Sequence, residues 1–194
     1  MMALDGQPAE PFPARNGALV LAPGARADAF VDAATSAPFL LHDGKEARQV
    51  GRLTVSGKLD RRVPLLPPQP LPPNYLPDRL DLKGALRFDI ALGAADAGWI
   101  RPANFSTSSA PAFRTKAGRT VVLALKNPAP VATVFHLHGH SFRLLDKLDD
   151  GWKPFWLDTL AVAPRDTARG AFVADNPGKW LIEADGLLTW FEVT

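Results

Sequence analysis

The sequence predicts an all-β sandwich. Short runs of alternating apolar and polar residues recur along the chain, bounded by Gly, Pro, Asn and Asp, and no stretch shows the 3.6-residue periodicity of an amphipathic helix. The bulk composition suits a globular domain: 46% hydrophobic and 22% charged residues, with no apolar run of about 18 residues that could span a bilayer.

The elements follow from this pattern. In residues 84–93, GALRFDIALG, the side chains of Leu86, Phe88, Ile90 and Leu92 share one face and Arg87 and Asp89 the other, as a half-buried strand requires. Residues 118–127, GRTVVLALKN, repeat the pattern, with Val121, Leu123 and Leu125 alternating with Val122, Ala124 and Lys126. Gly118 and Asn127-Pro128 mark the two ends. Further strands are expected at 133–145, 155–163, 169–174, 179–183 and 187–193.

Composition shifts between about residues 61 and 82, where RRVPLLPPQPLPPNYLP carries seven prolines. Proline cannot donate to a ladder and favours extended polyproline geometry, so this stretch predicts a linker. Residues 83–194 are then the main domain and residues 1–60 a partial one. In the latter, ALVLAPGARADAFVDA and ARQVGRLTVSG read as two or three strands about a Pro23-Gly24 turn. Fewer than about 60 residues give a marginal core. The N-terminal segment is therefore expected to pack on the main domain, on a second copy in a homo-oligomer, or on a partner chain.

With 22 Lys and Arg against 20 Asp and Glu, the formal charge of +2 is too small to track phosphates, which argues against nucleic acid as a partner. The chain has no cysteine. Disulfides and thiolate metal sites are excluded within it, leaving His, carboxylate or Met as ligands. The first residues show no basic stretch followed by an apolar core, so they do not read as a secretory signal. P-loop, nucleophile-elbow and Gly-rich dinucleotide motifs are also missing.

The conspicuous constellation is VFHLHGHSF, where His136, His138 and His140 recur at spacing two and account for three of the four histidines. On one strand, all three would project from the same side with neighbouring imidazoles about 6 to 7 Å apart. Three histidines in five residues would fill a core poorly, so the motif points to metal ligation. Imidazole without competing thiolate favours copper, with zinc as the alternative.

HLHGHSF, followed by WLDTLAV at 156–162 and VADNPGKW at 173–180, resembles the last domain of multicopper oxidases such as laccases. LAPGARADAFVDA at 21–33 is similar to the end of the middle domain of that family. The resemblance covers most of the chain in order. It implies a cupredoxin-like Greek-key sandwich with extra strands from a partial second cupredoxin domain, copper binding, oxidoreductase activity, and a periplasmic or secreted location. It also implies that His136 takes a type 2 copper position and His138 a type 3 position, with His140 beside the ligands rather than among them.

Two departures accompany the resemblance. The position matching the family's type 1 histidine is Thr133, a weak neutral ligand. Where the family continues with His-Cys-His, this chain reads KWLIEADGLLTWFEVT, with Glu183, Ala184 and Asp185 in that neighbourhood. Glu183 and Asp185 read as solvated residues at a strand end, with replacement ligands as the competing reading. A chain without the type 1 thiolate is expected to be incomplete or inactive as an oxidase, or else a non-catalytic metal-binding module or a structural sandwich that assembles with a partner. Asp158-Thr159 and the Asp175-Asn176-Pro177-Gly178 run match family positions, though the latter is a strong turn former in any β protein. Trp152, Trp156, Trp180 and Trp190 are expected to serve packing, and His42 has no motif around it.

Overall fold

A computed structural model describes residues 1–32, 35–57, 66–93, 98–106, 108–145 and 155–194. Trp152 lies outside them, as do residues 58–65 of the Pro-rich stretch. The chain forms two compact units: Met1–Asp28 with Pro70–Thr194, and Ala29–Gln69. The expected 1–60 segment is thus divided between them.

In the larger unit, β1 (Ala3–Leu4) pairs antiparallel with β2 (Gln7–Pro8) and β3 (Ala27–Asp28). Leu4 faces Gln7 across a two-residue Asp5-Gly6 loop, and both loop residues have positive φ, as a tight hairpin of this length requires. The smaller unit is a hairpin of β4 (Ala37–His42) and β5 (Ala47–Leu53) with a bulge at Phe39/Leu40. Its turn is held by Asp43, whose Oδ1 accepts the Lys45 and Glu46 N–H groups, and by His42, whose Nδ1 accepts the Gly44 N–H. Phe39, Leu40, Leu41 and Val50 on this hairpin are half or more exposed.

The chain continues through β6 (Leu86–Ala91), β7 (Phe113–Thr115), β8 (Thr120–Lys126), β9 (Thr133–Leu137), β10 (Phe142–Leu145), β11 (Trp156–Leu157), β12 (Thr159–Val162), β13 (Thr167–Val173), β14 (Gly178–Ala184) and β15 (Leu187–Val193). These make two five-stranded sheets, ordered β11-β10-β13-β8-β6 and β12-β9-β14-β15-β7. Most pairs are antiparallel; β6 with β8 and β15 with β7 are parallel. Between the sheets lies one apolar core that includes Val121, Leu123, Leu125, Phe135, Leu137, Phe142, Phe172, Ile182 and Phe191. Among the described residues no helix is long and apolar enough to cross a membrane.

Every strand expected between 84 and 193 is present, and the span 133–145 is split by a turn into β9 and β10. β7 escaped the reading because three residues, Phe-Arg-Thr, are too short to show alternation. Among the described residues, 18–32 contribute one short strand, β3, rather than a longer pair. Val122, which alternates with Val121 and Leu123, is buried as well, because β8 lies between β13 and β6 and is covered on both faces. On its outer side Val122, Leu145, Trp156 and Ala171 pack beneath Leu80, with Leu76, Leu82 and Ala85 alongside. The end of the expected linker is therefore apolar cover for the sheet. Trp156 and Trp190 are buried, Trp180 packs against the core, and Trp99, unmentioned in the strand pattern, is buried too.

Two buried polar residues tie the sandwich together. Asn127, 2% exposed, donates through Nδ2 to the carbonyls of Val131, Val162 and Ala163 at 2.8, 3.0 and 3.1 Å. Its Oδ1 accepts the Ala129 N–H and the Thr133 hydroxyl. His140, with a side chain 1% exposed, sits in the core among Phe172, Trp180 and Phe191 at ring-centroid distances of 5.1, 5.7 and 5.3 Å. Neither of its nitrogens has a hydrogen-bond partner. Burial lowers its pKa below the ordinary value of 6.5, while Asp175 at 3.9 Å and the His138 backbone oppose this.

Replacing Asn127 by Ala strands several buried groups and is expected to cost about 2 to 3 kcal/mol in urea unfolding; a loss under about 0.5 kcal/mol would contradict its role. For His140, the unfolded chain takes up a proton near its ordinary value while the folded chain resists it, so stability falls as pH drops below that value. His140→Phe should lose less stability between about pH 7 and pH 5 than the parent chain, measured by thermal unfolding across that range, and an equal fall would contradict this.

Candidate metal centre

β9 carries His136 on its half-buried side and ends at Leu137, whose N–H is taken by the Asp158 carbonyl at 2.9 Å. His138 and Gly139 form a turn, with the His138 N–H bonded to the Leu181 carbonyl at 3.0 Å. Gly139 has φ of 74°, in the left-handed region, and a Cβ there would lie 2.1 Å from Trp180 Cε3. Only glycine fits. Trp180 is braced in turn by an Nε1–H donated to the Asn176 carbonyl at 2.8 Å, and Asn176 Nδ2 donates to the Gly139 carbonyl at 3.2 Å. The Asp-Asn-Pro-Gly segment thus shapes the turn that carries the histidines.

That turn separates the three imidazoles. His136 and His138 stack with centroids 4.1 Å apart and ring planes at 25°, closer than the 6 to 7 Å expected of a continuous strand. His140 passes into the core. The expectation of three histidines on one strand face is therefore corrected: the strand stops after Leu137, so strict alternation does not extend to His138 and His140.

Glu183 completes the cluster. It stands in register with His136 across the β14–β9 ladder, and its Oε2 lies 3.7 Å from His138 Nε2. Donor atoms of His136, His138 and Glu183 all lie within 4.8 Å of one another, the one such group among the described residues. His138 Nε2 is buried and has no hydrogen-bond partner among the described residues. Burial lowers the His136 pKa, the adjacent His138 ring adds to this, and Asp158 and Glu183 oppose it. A neutral imidazole with a free lone pair is the form that binds metal. An open cleft of about 560 Å³ reaches the rings, lined by Gln7, Leu76, Asp158 and Asn176 among others.

The two acidic residues differ in role. Glu183 joins the histidines, against its reading as a solvated strand end. Asp185, with φ of 45°, and Gly186, with φ of 79°, make the two-residue loop of the β14–β15 hairpin. Asp185 Oδ1 accepts the Val134 N–H at 3.0 Å. Thr133 is buried and its hydroxyl donates to Asn127 Oδ1. His42 lies in the turn of the separate hairpin.

Sequence reasoning missed Asp5 and Arg26. Asp5 is buried, and its Oδ2 accepts the N–H groups of Asp158 and Thr159 at 3.0 and 3.1 Å. Arg26 Nη2 reaches Asp158 Oδ2 at 2.5 Å, and Asp158 Oδ1 lies 3.9 Å from His136 Nε2. The Asp5-Gly6 pair is a readable hairpin signal, but nothing local indicates that this carboxylate reaches residue 158.

A profile of the multicopper oxidase family matches residues 79–190. Multicopper oxidase MmcO of Mycobacterium tuberculosis (strain ATCC 25618 / H37Rv) is 33% identical over 70 residues, which is 36% of this chain and 14% of that protein. Among solved structures, Lac15 from a marine microbial metagenome is 30% identical with a TM-score of 0.76, over 99% of this chain and 48% of that one. The multi-copper oxidase of Pseudomonas thermotolerans is 27% identical with a TM-score of 0.77, over 100% of this chain and 49% of that one. The chain thus spans about half the length of these solved relatives and a smaller share of the curated one. A match over most of the sandwich, together with HLHGH at the end of β9, shows that the chain belongs to the multicopper oxidase family and has its cupredoxin-like fold.

Proposed function

We propose that this chain binds one divalent copper ion through His136, His138 and Glu183, and that it does not act alone as an oxidase. The observation that carries the reading is the buried, unpartnered Nε2 of His138 beside the His136 ring and the Glu183 carboxylate. A buried polar atom without a partner is costly unless something binds it. Two imidazoles and a carboxylate suit copper(II), which such nitrogen and oxygen sets hold more tightly than zinc. When bound, copper supplies one-electron redox capacity and Lewis acidity. The residues of this chain supply the donors, keep His136 neutral by burial, and leave a polar cleft open to solvent.

Oxidase turnover in the family draws on a thiolate-bound type 1 copper, and these 194 residues contain no cysteine. Thr133, at the matching histidine position, is occupied by its bond to Asn127. Any turnover therefore needs ligands beyond these 194 residues. Membership of the family supports a periplasmic or extracellular location.

Calorimetric titration with copper(II) should give one site per chain. The double variant His136→Ala/His138→Ala should abolish it, and Glu183→Gln should weaken it by more than about 10-fold, the scale seen even for outer-shell partners. Equal binding by parent and double variant would refute the site, and tighter binding of zinc than copper would reassign the metal. The copper-loaded chain should not oxidise phenols or laccase dyes. Turnover abolished by His136→Ala would overturn that part.

A further inference from the structure

Asp158 stands where the chain leaves one sheet for the other. Leu157 pairs with Phe142 in the first sheet, and Thr159 pairs with His136 in the second. At this step the Asp158 and Thr159 N–H groups are taken by a side chain rather than by a strand, and a buried N–H left unpaired is costly. Asp5, 4% exposed, takes both on Oδ2 and the Arg26 N–H on Oδ1 at 2.8 Å.

Arg26 closes the arrangement from the other side. Its Nη2 donates to Asp158 Oδ2 and to the Asp5 carbonyl, the latter at 3.1 Å. Asp158 Oδ1 accepts the Thr159 hydroxyl at 2.7 Å and is the oxygen that faces His136. The Asp158 carbonyl holds the N–H of Leu137, between the two stacked histidines. Side chain and backbone of Asp158 are thus both committed, and both commitments bear on His136.

We propose that Asp5, Arg26 and Asp158 are positioning residues for the metal centre, fixing the His136 imidazole beside His138 and Glu183. This inference rests on the metal reading given above. Because Arg26 holds one oxygen of Asp158, the carboxylate acts on His136 as an oriented neighbour and not as a fourth ligand. Metal affinity then depends on Asp5, which lies 153 residues from Asp158 along the chain.

The test uses the full chain with Arg26→Gln, Arg26→Lys and Asp5→Asn, circular dichroism to check folding, copper(II) as the probe, and NMR of the histidine rings without metal. Arg26→Gln and Asp5→Asn should each weaken copper binding about 10-fold and shift the His136 ring signals, while the Trp190 indole signal stays in place. Arg26→Lys, which keeps the charge, should recover most of the affinity. If the parent chain binds copper and folded Arg26→Gln binds it equally well, the proposal is overturned. If the parent chain binds none, the metal reading fails and the ring signals decide: a His136 shift in Arg26→Gln supports positioning, and unchanged signals overturn it. Should Asp5→Asn not fold, Arg26→Gln decides alone.

Discussion

The Asp5 carboxylate caps the backbone where the polypeptide passes from one sheet of the sandwich to the other, and the site beside it depends on that cap. It satisfies the N–H groups of Asp158 and Thr159 and is itself held by the Arg26 N–H. Charge-assisted bonds of this kind are stronger than neutral ones, and here several converge on one buried carboxylate. They join the first residues of the chain to the edge of the sandwich, where Phe12 also meets Phe155 at a ring-centroid distance of 5.2 Å. Met1–Asp28 belongs to the same compact unit as Pro70–Thr194 for this reason.

The second constraint is steric. Gly139 lies against the face of Trp180, so the chain must turn there in a conformation that other residues reach only with strain. The turn ends β9 after Leu137, folds the His138 ring onto His136, and sends His140 inward. One HLHGH motif therefore supplies two kinds of histidine. Two remain at an open cleft with lone pairs available, and one is enclosed by aromatic rings where its charged form is disfavoured.

Electrostatics distinguish the carboxylates around the cluster. Asp158 is paired with Arg26, Asp185 is spent on the Val134 N–H, and among the described residues no hydrogen bond commits Glu183 as it approaches His138. The residue free to act as a ligand is thus the one opposite His136 in the ladder. Thr133 is drawn into the Asn127 hub that binds β9 to the end of β12.

Period-two alternation in 84–93 and 118–127, with Gly and Asn-Pro at the ends, was enough to locate the strands, because alternation is a local consequence of burying one face. The histidine-rich motif and the missing cysteine were equally legible, since they are matters of residue type. Long-range packing decided the rest. Whether Val122 faces water depends on Leu80 covering the sheet; whether three histidines share a face depends on a tryptophan forty residues on; and whether Asp5 matters depends on a sheet crossover near residue 158. Amino-acid order along the chain determined which chemistry is available, while the tertiary structure decided which of those groups meet, because contacts between distant segments leave no period in the sequence.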